Sequence, residues 1–532
     1  MRRLSSCGGA AALLLLLAAL APVPAGAQQQ QFDLLIRNAR VLDGTGNPWY
    51  FADVGIRGER IVAVGRLAGA RATQLIDAQG LYLAPGFIDV HSHAGPGLAT
   101  RELSPAVPLL AQGITTVVIN PDGGGPADLV EQRQALLRDG LGVNVALLVP
   151  HGSIRHAVLG MADRAPTAEE LERMRTLVRQ GMEAGAFGLS TGPFYAPGSF
   201  ATTDELVELA KVAAQFDGVH SSHIRDESDY TIGVVAAVDE LIEISRRARL
   251  PGIVTHIKAL GPNVWGHSAA LVHRIDRARE AGLEIYADQY PYEASSTGLI
   301  AALVPRWAQA GGQDSLDRRL ADPVQRARIR AEVVENLARR AGADAIMFAR
   351  YAEDPSIVGL TLAQLATQRN ADPVDVAIDL VRGGGPGIIS FNMHEDDIRR
   401  LMRQPWTMTA SDGDLVLPGR GMPHPRAYGT FPRRIRKYVL EQRTTDLAHA
   451  IRSMTSLPAT VFRMRDRGII REGAIADIVL FDLARLRDVA RYGDPHHLSE
   501  GVVHVLIGGR FAMQDGRPAP TLVGQVLDRQ RQ

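Results

Sequence analysis

Between residues of about 83 and 463, short apolar runs alternate with helical stretches. Nothing else in the chain restricts its fold so strongly, because this is the signature of a parallel β/α architecture. Parallel strands need crossover connections of a dozen or more residues, and the runs are spaced for them. Eight strands are expected, ending near His93, Asp122, His151, Ser190, His223, His256, Asp288 and Asp412. Helical patterns fill most gaps, as over 169–184, 204–215 and 234–248. Residues of about 300–400 are the exception. They hold extra helices and a strand-like run around Ile388 to Phe391, and read as an insertion that caps a site. The expected fold class is α/β, a (β/α)8 barrel over 83–463.

The flanking segments read differently. Residues 32–41, 53–57, 60–64 and 74–77 alternate like strands, punctuated by Gly44, Gly46, Gly58 and Gly65. Strand signals return at 476–482 and 502–507. A small β-sandwich made from both chain ends, 28–82 with 464–532, is the natural reading. Before it lie Arg2 and Arg3, an unbroken Ala/Leu run from Ala10 to Leu20, and Ala25-Gly26-Ala27. That order is a secretory signal covering residues 1–27. The apolar run is shorter than the ~20 residues that span a bilayer. The expected address is therefore outside the cytoplasm, periplasmic or secreted, without stable membrane insertion after cleavage. Cys7 is the only cysteine, so a metal site in the mature chain must use histidine and carboxylates. Acidic and basic residues balance at 58 each with no basic stripe, which argues against a nucleic-acid partner.

The strand ends carry the chemistry. Active sites of β/α barrels lie at the carboxyl ends of the strands. Pro85-Gly86-Phe87-Ile88-Asp89-Val90-His91-Ser92-His93 places two histidines two apart, on one face of a strand, where both can bind one metal ion. His223 and His256 each close an apolar run. His220, three residues before His223, faces the other way and is expected to pack structurally. Arg225 and Lys258 sit two residues after their histidines and should share their face, which suggests an anionic substrate. Asp122, in Asn120-Pro121-Asp122-Gly123, can bridge two metals, although an Asp before Gly is also an ordinary turn residue. Asp412, in Ser411-Asp412-Gly413, can take a proton from a water and pass it to a leaving amine.

With these motifs in view, the chain resembles the N-acyl-D-amino-acid deacylase (D-aminoacylase) family of the amidohydrolase superfamily. The matching stretches run in order through nearly the whole mature chain. They include Gly185-Ala186-Phe187-Gly188-Leu189-Ser190-Thr191-Gly192 through Tyr195, His223-Ile224-Arg225-Asp226-Glu227, His256-Ile257-Lys258, and Asp288-Gln289-Tyr290-Pro291-Tyr292. Ser411-Asp412-Gly413, His424-Pro425-Arg426 and Tyr428-Gly429-Thr430-Phe431-Pro432 complete the set. The resemblance implies a barrel plus sandwich and one or two zinc ions. It implies zinc on His223 and His256 with a bridging residue, and a second position at His91 and His93. Asp412 is implied as general acid/base, and Tyr195, Lys258, Tyr290, Ser296 and Arg426 as holders of the substrate.

One departure stands out. In the best-known members of the family the bridging residue is a cysteine after Gly-Asn, and here the motif reads Asn120-Pro121-Asp122-Gly123. Aspartate is a harder, oxygen ligand. Other amidohydrolases bridge with a carboxylated lysine, but Lys211 falls in a helical run and Lys437 follows the last strand. The implied reaction is hydrolysis of a small acylated amino acid or dipeptide. A dipeptidase or cyclic-amide hydrolase is the neighbouring alternative, and a metal- or ligand-binding protein without catalysis is the remote one. The carboxylate-holding residues favour linear substrates, and Asp412 beside a full histidine set argues against lost catalysis.

Overall fold

The computed structural model describes residues 31–529, so the leader-like segment 1–27 lies outside the described residues. Eight parallel strands form the centre: Phe87–Asp89, Ile114–Ile119, Asn144–Leu147 with Val149–Pro150, Gly188–Thr191, Val219–Ser222, Gly252–Val254, Ile285–Gln289 and Thr407–Thr409. They lie side by side in sequence order, as a (β/α)8 barrel requires. Hydrogen-bonded ladders run in two arcs of three and six strands. The arcs meet where Asn144–Leu147 continues into Val149–Pro150. On the other side the first and last strands are tied by the Asp412 amide, which donates to the His91 carbonyl at 2.8 Å. Gly413–Asp414 then pairs with Ser92–His93 in parallel.

Alternate residues of these strands fill the interior, among them Ile88, Val118, Ala146, Val219, Ile253 and Met408, all buried. Burying each large aliphatic side chain contributes about 1.5–3 kcal/mol. The other strand face packs on helices whose sequences define their own ends. Ala168–Glu183 opens with a capping box, in which Thr167 and Glu170 exchange side-chain and backbone hydrogen bonds. Val234–Ala248 buries Val234, Val238, Leu241 and Ser245, one face at helical spacing.

The stretch after Ile285–Gln289 is the expected insertion. Strands Ala294–Gly298, Gly387–Phe391 and Ile346–Arg350 form a three-stranded antiparallel sheet with Gly387–Phe391 in the middle. Helices Leu299–Leu303, Gln313–Ala321, Pro323–Arg339, Leu362–Gln368 and Pro373–Leu380 surround it with a core of their own.

Both chain ends build one nine-stranded sheet. Its long strand Gln31–Val41 pairs with Arg71–Asp77 near its start and with Tyr82–Pro85 near its end, passing from one layer to the other. Leu34, Ile36, Val54, Leu83, Ile478, Leu480 and Leu506 make the core between the layers. Two sequence-based boundaries shift. Residues 83–85, placed in the barrel, complete the strand Tyr82–Pro85, which pairs with Ile478–Phe481. The chain changes domain only at Gly86, where a Cβ would lie 2.3 Å from the Thr115 side chain. The end of the 464–532 segment leaves the sandwich, as Gly524 and Val526 bridge to Leu141 and Val145 beside the barrel.

Candidate metal centre

Two donor groups meet at the carboxyl ends of the strands. His91, His93, Asp122 and Asp412 form one, and Asp122, His223 and His256 the other, with the donor atoms of each group within 4.8 Å of one another. Asp122 belongs to both and splits its oxygens. Oδ2 lies 3.3 Å from His91 Nε2 and 3.4 Å from His93 Nε2. Oδ1 lies 3.4 Å from His256 Nε2 and 3.7 Å from His223 Nδ1. Asp412 Oδ1 stands 3.5 Å from His91 Nε2 and 3.1 Å from His93 Nε2.

The backbone is bent to deliver these groups. Asp122 (φ 57°), Asp412 (φ 49°) and His256 (φ 35°) occupy the left-handed region just past their strands. Non-glycine residues rarely sit there, and such outliers cluster at working sites. The Asp122 loop is clamped from below. Gly123 N donates to Ser190 Oγ at 3.2 Å, and Ser190 Oγ donates to the Asn120 carbonyl at 2.5 Å. Gly192 must be glycine, because a Cβ there would come within 2.1 Å of the Asp122 carbonyl oxygen.

The donor set fits a divalent metal of zinc type. Imidazole and carboxylate are its usual ligands in the absence of thiols. His91 Nε2, His223 Nδ1 and Asp122 Oδ1 are buried without any hydrogen-bond partner. Buried polar atoms are almost always paired, so orphans in both donor groups ask for a ligand in each. Burial alone would pull His93 down, but Asp122 and Asp412 outweigh it and raise the imidazole to about 9. The same carboxylates raise His91 against its burial. Metal therefore competes with protons for these two ligands.

The outer nitrogens of the histidines are also assigned. Glu227 Oε1 lies 3.0 Å from His256 Nδ1 and Oε2 lies 3.6 Å from His223 Nε2. Lys258 Nζ donates to Glu227 Oε1 at 2.5 Å and touches His256 Nδ1 at 2.7 Å. Burial would raise Glu227, but Lys258 and the two histidines hold its carboxyl far below the usual range. Asp288 accepts the His256 amide at 2.7 Å and faces His91 Nδ1 at 3.8 Å. Asp89 accepts the Ser411 amide at 2.8 Å and its hydroxyl at 2.5 Å, joining first and last strands, and burial raises it to about 6. The sequence reading gave no role to Glu227, Asp288 or Asp89. The signal was present, since each lies inside a quoted motif.

The expected holders of substrate converge beside this cluster. Arg426 Nη1 is 2.8 Å from Asp412 Oδ2, and its guanidinium lies 4.7 Å from the Tyr290 ring centre. Lys258 Nζ lies 5.6 Å from the same ring. The Tyr290 hydroxyl is buried without a partner. Burial would raise Asp412, but Arg426 and the histidines hold it far below the ordinary carboxylate range. Tyr195 packs on His223 with ring centres 4.6 Å apart, and its hydroxyl accepts from Thr297 at 3.3 Å. Ser296 lines the same cavity of about 1100 Å³ as Tyr195, Lys258, Tyr290 and Arg426.

Arg225 behaves otherwise than expected. It turns away and pairs bidentately with Glu240, donating also to the Ser199 carbonyl. The strand ends at Ser222, so the two-residue periodicity no longer applies at 225. His220 does face outward, bonding Thr191 Oγ1 at 2.9 Å. Lys211 pairs with Glu208 and Lys437 with Glu395, both away from the donor groups.

Residues 74–513 match the model of an amidohydrolase family. The chain is 37% identical over 519 residues to N-acyl-D-glutamate deacylase of Alcaligenes xylosoxydans xylosoxydans, covering 92% of this chain and 96% of that protein. It is 32% identical over 526 residues to D-aminoacylase of the same organism, covering 94% and 99%. Among solved structures, N-acyl-D-glutamate deacylase from Bordetella bronchiseptica, complexed with zinc and a phosphonate mimic of the tetrahedral intermediate, aligns with a TM-score of 0.80. That alignment has 36% identity and covers 94% of this chain and all of that one.

Proposed function

The chain belongs to the amidohydrolase family, and from that premise we propose that it is a zinc-dependent hydrolase releasing D-amino acids from their N-acyl derivatives. The observation that carries this reading is Asp412. It faces His91 and His93 with one oxygen and is held by Arg426 through the other. His223 and His256 with Asp122 would hold one zinc ion, and His91 and His93 with the other Asp122 oxygen a second. Zinc in such a donor set supplies an acidified water and a polarised amide carbonyl. The rest falls to the chain's own side chains.

Asp412 takes the proton from the attacking water. Arg426 and the neighbouring histidines keep it ionised in the resting site. As the C–N bond breaks, the same carboxyl returns that proton to the departing nitrogen, so the products are a carboxylate and a free amine. Lys258 and Arg426 both lie against the Tyr290 ring, whose free hydroxyl completes a seat for the substrate's α-carboxylate. Tyr195 and Ser296 close the cavity around the acyl amino acid. The insertion strand that carries Ser296 also brings Thr297 and Gly298 to the cavity, and Arg350 lines it as well.

Export belongs to the same reading and rests on the leader-like residues 1–27. No helix of the described residues is long and apolar enough to cross a membrane. The N-terminal sequence of the protein recovered from the expressing cell tests this; a chain beginning near residue 28 is expected, and an intact leader on cytoplasmic protein would sink it. The activity is tested by amine release from paired N-acetyl-D- and N-acetyl-L-amino acids, with zinc and with chelator. Zinc-dependent release from the D series is expected. Release from neither series by zinc-loaded protein would turn attention to dipeptides and cyclic amides.

A further inference from the structure

Asp89 is a fully buried carboxylate whose hydrogen bonds go to backbone amides and one hydroxyl. Burying such a group is costly, so what its bonds hold in place is informative. Oδ1 accepts the Ser411 amide at 2.8 Å and, at a longer 3.4 Å, the His91 amide. Oδ2 accepts the Ser411 hydroxyl at 2.5 Å. The same hydroxyl oxygen accepts the Gly413 amide at 3.0 Å. Between these two residues stands Asp412, whose own amide is taken by the His91 carbonyl.

The amides of residues 411, 412 and 413 are thus all tied to the first barrel strand, the last of them through Ser411. The preceding Ala410 amide still goes to the Gln289 carbonyl, on the other side. The tie therefore begins where the chain must turn. Asp412 has its left-handed φ of 49° here, with its carboxylate facing His91 and His93. A residue with a side chain keeps such a conformation only where its surroundings over-determine it. The far side of the turn is closed by Ala427, whose Cα would lie 2.9 Å from a Cβ at 413.

Asp122 makes an internal control. It too is left-handed and precedes a glycine, and the Gly123 amide is likewise held by a serine hydroxyl, that of Ser190. Ser190, however, passes its proton to the neutral Asn120 carbonyl. At Asp412 the proton goes to a carboxylate, which makes the stronger, charge-assisted kind of bond. The difference follows from the tasks. Asp122, shared by both donor groups, is held by what it binds. Asp412 has to meet first the water and then the departing nitrogen, so its backbone has to be fixed independently of either. Neither Asp89 nor Ser411 lines the cavity.

We propose that Asp89 and Ser411 are positioning residues for proton transfer, which set where the Asp412 carboxylate stands relative to the His91/His93 half of the cluster. The inference rests on the reading of Asp412 as the proton carrier of a deacylase.

The test uses the zinc-loaded mature protein and the N-acetyl-D-amino acid that the parent cleaves best. Ser411→Ala is expected to keep its zinc and a KM within about threefold of the parent, while kcat falls about 100-fold, the cost of misplacing a reacting group by about 1 Å. Asp89→Asn, whose amide nitrogen must face one of the Ser411 donors, should lose at least as much; if it does not fold, Ser411→Ala carries the test. Adding Ser411→Ala to Asp412→Asn should change kcat less than about threefold, because the group it positions is already gone. A loss under tenfold in Ser411→Ala, or an equal loss in both backgrounds, overturns the proposal. Crystal structures of the parent and Ser411→Ala need no turnover. Displacement of Asp412 Oδ1 from its place beside His91 Nε2 and His93 Nε2 is expected, and an unmoved carboxylate overturns the proposal. A parent that cleaves no N-acyl amino acid sinks the deacylase reading by itself and leaves the two structures to decide the placement.

Discussion

The two halves of the donor cluster share Asp122 but are wired to different neighbours. The His91/His93 half faces Asp412, whose second oxygen is held by Arg426. The His223/His256 half is backed by Glu227, whose oxygens are used up by the two imidazoles and Lys258. One half is joined to a carboxylate free to move a proton, and the other to a carboxylate fixed in an orienting role. Metal retention and proton transfer should therefore be separable by mutation, although both groups lie within one cluster.

Asp122 is the residue on which the halves depend in common, and its replacement should have the largest effect. Asp122→Asn removes one anionic oxygen from each group, so zinc is expected to be lost from both and turnover to fall to that of chelated protein. Metal analysis after dialysis checks this. Zinc retained in either half, with activity, would show that the halves do not share their ligand. Asp412→Asn comes next. Here zinc should stay bound while kcat drops about 10²–10⁴-fold, the usual worth of a positioned proton carrier. A kcat within tenfold of the parent would remove Asp412 from that role.

Removing the orienting carboxylates should be milder, and unequal. Loss of an outer-shell partner typically costs about 10–100-fold in metal affinity. Glu227→Gln disturbs two ligands and Lys258, so chelator competition should place it at the upper end of that range, with KM raised as well. Asp288→Asn should sit at the lower end, because Asp288 lies 3.8 Å from His91 Nδ1 and its firm bond is to the His256 backbone. The reverse order would mean that the His91 half, and not the His223 half, governs zinc retention.

Much of this was readable before any coordinates. Eight strand ends were placed by apolar periodicity, and every residue singled out for metal or proton transfer came from such an end. The period-two argument worked where a strand continued and failed past its last residue, as Arg225 shows. Glu227 and Asp288 were visible as letters but not as partners. Their roles depend on which nitrogen of each imidazole turns outward, a three-dimensional fact. The positive φ of Asp122, His256 and Asp412 is likewise silent in sequence, since only the Gly following two of them hints at a sharp turn.

The strand Val219–Ser222 offers the comparison in miniature, because it carries one histidine outward and leads into another facing the cluster. His223 belongs to a donor group, whereas His220 is sealed against Thr191. Burial, and then the nearby His151, depress His220 from 6.5 to about 3. The fold therefore keeps this imidazole neutral through the weakly acidic range, while an unfolded chain would protonate it near 6.5. Above that pH neither state binds the proton, and the contribution to stability is complete. Below it the unfolded state gains a proton that the folded state refuses, so stability falls by about 1.4 kcal/mol per pH unit until about pH 3. His220→Gln keeps a group able to bond Thr191 but removes the titration. Between pH 6.5 and 5 the parent should lose about 2 kcal/mol more stability than the variant, read as the shift in urea midpoint multiplied by its slope. Equal losses would mean that His220 is protonated inside the fold, and that the outward side of this strand is not the sealed apolar layer that the inward side works against.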